Sequence, residues 1–128
     1  MKTELDIHNY QKWSLENFQY RDRLLTLTVE EMLSDKERLR EPKRYLVIFT
    51  NAICFQVYDE CDHREDFHID REVGVLAKYR ASRLLEHVKN DTVIFDTEVG
   101  LIEHYSLMTT NEFVHVITSA EPRLVDVT

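Results

Sequence analysis

The chain has 128 residues, 43% of them apolar and 31% charged, with 24 carboxylates against 16 Lys and Arg for a net charge of −8. That length gives one domain with a radius of gyration of roughly 14 Å and a core large enough to stand without disulfides or metal. The balance excludes a disordered tail, a collagen-like chain and a membrane protein, and the negative charge disfavours nucleic acid while suiting a basic protein partner.

The N-terminal MKTELDIHNYQKWS lacks the apolar centre of a secretory signal. Only Cys54 and Cys61 are present, which fits a reducing compartment. These features predict a cytoplasmic protein. Trp13 to Tyr20 is rich in aromatics and changes parity near Asn17, the mark of a strand with a bulge. Arg21 to Arg23 links it to LLTLTVE (24–30), where Leu25, Leu27 and Val29 share one face and Thr26 and Thr28 the other. That alternation is a half-buried strand and completes a hairpin.

Residues 34–44, SDKERLREPKR, form a connection ended by Pro42. Its cations Lys36, Arg38, Arg40, Lys43 and Arg44 against Asp35, Glu37 and Glu41 leave +2, a mixed solvated loop. YLVIFTNAICFQVY (45–58) is apolar on both faces. It predicts a central strand, or two strands broken at Thr50-Asn51. Val73, Ala77, Ala81, Leu84 and Val88 recur at helical spacing and predict a helix over about 75–89, with Asp70 as its cap and Asn90 at its end. TVIF (92–95) reads as a short strand. LIEHYSLMTT and FVHVITS form a hairpin whose tip is placed at Asn111-Glu112, and Leu124, Val125 and Val127 add a last strand after Pro122. The order gives the α+β class: an antiparallel, twisted β-sheet with one main helix packed on a face, in a single domain spanning 1–128.

The densest group of chemical residues is DECDHREDFHIDRE (59–72), where seven carboxylates face two arginines for a net of −5. Asp59, Glu60, Asp62, Glu65 and Asp66 make an acidic patch suited to steering a basic partner. Cys61, His63, His68 and Asp70 are ligand types for a divalent metal, though their spacing lacks a CxxC or HxxxH unit. No cofactor is implied, because two isolated glycines supply neither a P-loop nor a dinucleotide fingerprint. No G-x-S-x-G elbow is present.

His104-Tyr105-Ser106 matches half of the paired His-x-Thr/Ser pattern of two-histidine phosphoesterases, while His115-Val116-Ile117-Thr118 misses by one residue. With Asn111-Glu112 as the tip, His104 would face Ser119 and His115 would face Met108, which sets the two imidazoles far apart. Among the aromatics, Trp13 and Tyr20 are the two that could anchor a partner if they lie on an open face.

RYLVIFTNAICFQVYDE (44–60) and EHYSLMTTNEFVHVITSAEP (103–122) resemble segments of small bacterial proteins of the immunity type, short acidic α+β chains that neutralise toxins. The resemblance implies a binding role; charge and aromaticity in turn make Asp59, Glu60, Asp62, Glu65, Asp66, Trp13 and Tyr20 the expected interface of a non-enzymatic module that meets a basic protein. Two alternatives stand beside it. One is a small metal-assisted hydrolase built on Cys61, His63, His68 and Asp70. The other is a structural subunit that forms a homodimer through a sheet edge.

Overall fold

The computed structural model describes residues 12–59, 69–91 and 102–128. Eight strands form two four-stranded antiparallel sheets, ordered β1-β2-β3-β8 and β4-β7-β6-β5. The α+β class is as the sequence predicts, but the strands divide into two layers rather than one sheet.

β1 (Trp13–Arg21) and β2 (Leu24–Glu31) join through Asp22-Arg23, whose φ angles of 52° and 66° give the primed two-residue turn that matches strand twist. The Arg23 carbonyl accepts from Ala52 N–H at 2.9 Å, and its guanidinium donates to Asn51 Oδ1 at 3.2 Å. The predicted bulge is present, with the register shifting between Leu15 and Asn17. Thr50-Asn51 does break the long apolar run. It ends β3 (Arg44–Phe49) in the first sheet and starts β4 (Ala52–Asp59) in the second. That explains why both faces of the run are apolar, since its two halves turn toward the shared core from opposite layers.

Between β2 and β3, the connection is less solvated than its composition suggests. Arg40 forks onto the buried Glu31 carboxylate at 2.6 and 3.0 Å and reaches Glu37 at 2.8 Å. The Arg40 fork and the Ser34 hydroxyl hold the Glu37 carboxyl down to about 2.

The predicted helix over 75–89 is corrected in its first half. Leu76–Tyr79 is a strand, β5, paired to β6, and α1 covers Arg83–Asp91. Ala77 and Ala81 fit a strand face as well as a helix stripe, so periodicity alone could not separate the two. The cap is Ser82 rather than Asp70: its Oγ accepts from Leu85 N–H at 3.0 Å. TVIF (92–95) lies outside the described residues. β8 (Arg123–Asp126) pairs with β3 and is the predicted last strand.

The sheets enclose one core. Leu25, Leu27, Val29 and Val47 from the first layer meet Leu107, Val114 and Val116 from the second, all fully buried. On the far side of the second sheet, Leu85 and Val88 of α1 cover Ile102 and Ile117, so the helix packs on a sheet face as predicted.

β6 (Glu103–Met108) and β7 (Glu112–Thr118) form the predicted hairpin in a different register. Met108 faces Phe113, Ser106 faces His115 and His104 faces Ile117. The Thr109 N–H bonds to the Glu112 carbonyl at 3.0 Å, which places the tip at Thr110-Asn111. Asn111 then reaches the other sheet. Its Oδ1 accepts from Leu15 N–H at 3.0 Å, and its Nδ2 donates to the Leu15 carbonyl at 3.1 Å. Thr110 N–H adds a bond to the Trp13 carbonyl at 2.8 Å. An Asn111→Asp variant sets a carboxylate against the Leu15 carbonyl and removes a donor. It is expected to lose about 1–3 kcal/mol of unfolding free energy in a urea titration; an unchanged midpoint would show that the tip contributes nothing to joining the layers.

Candidate functional site

Of the residues predicted to bind a partner, Trp13 is corrected. It is 3% exposed, on the core side of β1, with its ring 5.7 Å from Tyr45. The bulge at Leu15/Asn17 keeps Phe18 and Tyr20 on the inner face, paired with Leu27 and Leu25. They sit at the rim of the sandwich, where each remains 42% exposed. Phe55 of β4 lies 6.2 Å from Phe18 and 4.9 Å from Tyr20, and the Tyr20 hydroxyl donates to the Ala52 carbonyl at 3.2 Å.

These contacts bring β1 and β4 side by side. Among the described residues, each is the outer strand of its sheet. The Asn111 amide and Thr110 N–H occupy the start of β1's free edge at Trp13 and Leu15. The stretch bearing Phe18 and Tyr20 lies beyond that cover. β4 ends at Asp59, an exposed residue. Glu60, Asp62, Glu65 and Asp66 follow it in sequence but lie outside the described residues.

The metal-type residues Cys61, His63 and His68 also lie outside the described residues. Asp70 is in a turn at φ 58°, its carbonyl accepting from Arg80 N–H at 2.7 Å. Among the described residues, no group of three or more His, Cys, Asp or Glu is arranged to hold a metal ion. Burial in an apolar setting pushes the Cys54 thiol up.

The histidines give the largest departure from the sequence reading. The hairpin register makes His104 and His115 diagonal neighbours on the outer face of the second sheet, and His104 Nε2 lies 2.9 Å from His115 Nδ1. They are 3% and 7% exposed. His104 stacks on Tyr79 with centroids 4.1 Å apart, and its Nδ1 lies 2.7 Å from Ser82 Oγ. The Tyr58 ring meets His115 edge-on at 5.9 Å.

Protons can run along this chain in one consistent order. Leu85 N–H donates to Ser82 Oγ, Ser82 O–H to His104 Nδ1, and His104 Nε2–H to His115 Nδ1. Burial first, then His115 and Arg71, pushes the His104 imidazole down to about 3.

Arg71 underlies the same face. It is 7% exposed. Its Nε donates to Ser106 Oγ at 2.6 Å, Nη1 to the Gly74 and Glu72 carbonyls, and Nη2 to the Val75 and Ser106 carbonyls. A guanidinium has five N–H donors, and every one finds an acceptor. Arg71 therefore staples the 71–75 turn onto β6, a role that its acidic neighbours in sequence concealed. Burial lowers the Arg71 guanidinium to about 10, still charged at neutral pH.

Beside Ser82 a cleft of about 550 Å³ is lined by Asp70, Ala81, Arg83, Glu86, His87 and Asn90. No helix among the described residues is long and apolar enough to cross a membrane. Comparison with protein-family models, with curated proteins and with solved structures finds no match to this chain.

The buried imidazole has a consequence for stability. An unfolded chain protonates His104 below about pH 6.5, whereas the folded chain resists until about 3. The unfolded state binds more protons in that window, so stability is lost as pH falls from 6.5 toward 3. By pH 5, before most carboxylates titrate, the loss is about 2 kcal/mol. Urea titrations at pH 7.5 and 5 are expected to show it in the wild type and to show it removed in His104→Gln; equal pH dependence in both would contradict it.

Proposed function

We propose that the chain is a protein-binding module of the immunity type, meeting a basic partner at the rim where β1 and β4 run together. The observation that carries this reading is the cluster of Phe18, Tyr20 and Phe55, with the first two 42% exposed. Half-exposed aromatics held against a rigid sheet lose little side-chain entropy on binding and make good anchors. Beyond its first residues, the edge of β1 offers backbone donors and acceptors to an added strand. The acid-rich sequence from Asp59 to Asp66 continues directly from β4, and it supplies a field that draws a basic surface toward this rim. Recognition of this kind needs no chemistry, and the reducing cytoplasm is its proposed setting.

The parts act on different rates. Charge sets the approach, and the aromatics set the lifetime of the complex. The test is capture from the source lysate followed by binding kinetics with the captured protein. A basic partner is expected, associating about tenfold or more slowly in high salt than in low. Reversing Asp59, Glu60, Asp62, Glu65 and Asp66 to Lys is expected to slow association and leave folding intact. Phe18→Ala with Tyr20→Ala is expected to speed dissociation about tenfold or more. Unchanged association after charge reversal, or unchanged dissociation without the aromatics, would overturn the reading.

A further inference from the structure

A second site is independent of the aromatic rim. We propose that Ser82 is the nucleophile of a Ser–His–His acyl-transfer centre, with His104 as its base, His115 as the residue that positions His104, and small carboxylic esters as the substrate class. Three observations converge on it. Ser82 Oγ lies 2.7 Å from His104 Nδ1, within reach for proton transfer. His104 Nε2 lies 2.9 Å from His115 Nδ1, so the base is itself oriented by a third group. Ser82 is half-buried and lines the cleft with Arg83, Glu86 and His87, whereas both imidazoles are buried and stand behind Ser82 rather than in the cleft wall.

The strand-to-helix turn supplies the electrostatics. Ser82 caps α1, and its oxygen accepts from Leu85 N–H. Negative charge developing on Oγ therefore sits at the positive end of the helix. The first-turn N–H groups of Arg83 and Leu84 have no acceptor within the helix, which leaves them as donors toward an ester carbonyl oxygen.

In the reaction Ser82 Oγ forms a bond to the acyl carbon while its proton passes to His104 Nδ1. The bond to the leaving alkoxide then breaks, and that proton goes to the departing oxygen. Water repeats the sequence in reverse, releasing the acid and restoring Ser82. His104 keeps its Nε2–H on His115 throughout, which holds the ring in the tautomer that presents Nδ1 to Ser82. Burial makes His104 a weak base in the resting molecule and also keeps it neutral and ready at every pH above about 4.

The test uses the full chain and a fluorophosphonate ester, with adducts located by mass spectrometry. One adduct is expected, on Ser82, absent in Ser82→Ala. His115→Leu, which leaves Ser82 and His104 in place, is expected to slow labelling at least tenfold. Circular dichroism checks that this variant folds. The pH profile of the wild type keeps the proposal testable if it does not. Labelling of Ser82 is expected to be flat from pH 5 to 8, because its base is already neutral. No adduct on Ser82, a tenfold rise per pH unit that marks hydroxide, or a rise centred near 6.5 that marks an ordinary solvated imidazole as the base would each overturn it.

Discussion

The Asn111 side chain bonds to both backbone groups of Leu15, and the rest of the structure depends on that pair. An amide used this way imitates a strand residue: it offers one donor and one acceptor at ladder spacing. It ties the tip of the β6–β7 hairpin in one sheet to the edge of β1 in the other. The tip at Thr110-Asn111 then decides which residues of β6 and β7 face each other. The proximity of the two histidines follows from that register.

The second sheet has an unusual division of labour. Its inner face is apolar and completes the core with Leu107, Val114 and Val116. Its outer face holds His104, His115, Ser106 and Tyr79 beneath the turn stapled by Arg71. Burying polar groups on that face costs free energy unless each is paired. Arg71 meets the condition with five bonds to neutral acceptors, and His104 meets it by staying uncharged between Ser82 and His115. An uncharged His104 beside a fixed cation is a stable neutral-pH arrangement that acid opposes.

Much of this was legible in the sequence where one face is buried and the pattern is strict. Leu25, Leu27 and Val29 announced β2, the parity change near Asn17 announced the bulge, and Thr50-Asn51 announced a break. The register of the last hairpin was not legible, for a physical reason. Moving the tip from Asn111-Glu112 to Thr110-Asn111 slides one strand by two residues, which leaves every side chain on its original face. The inside-outside pattern is blind to such a slide, and the bonds that mark the observed register are the local ones between Thr109 and Glu112 together with the distant pair to Leu15. The helix start was blurred by alanines that suit either period. Trp13 and Tyr20 looked alike in sequence, and the core separated them. Arg71 gave no signal at all, because its acceptors come from β6 and from the backbone.

The register of β6 against β7 is therefore the claim to test most directly. Nuclear Overhauser contacts between the backbone protons of the two strands report it without any substitution. The structure predicts cross-strand contacts for Ser106 with His115 and for His104 with Ile117. Contacts of His115 with Met108 and of His104 with Ser119 would contradict it, separate the imidazoles and remove the basis for the Ser82 site.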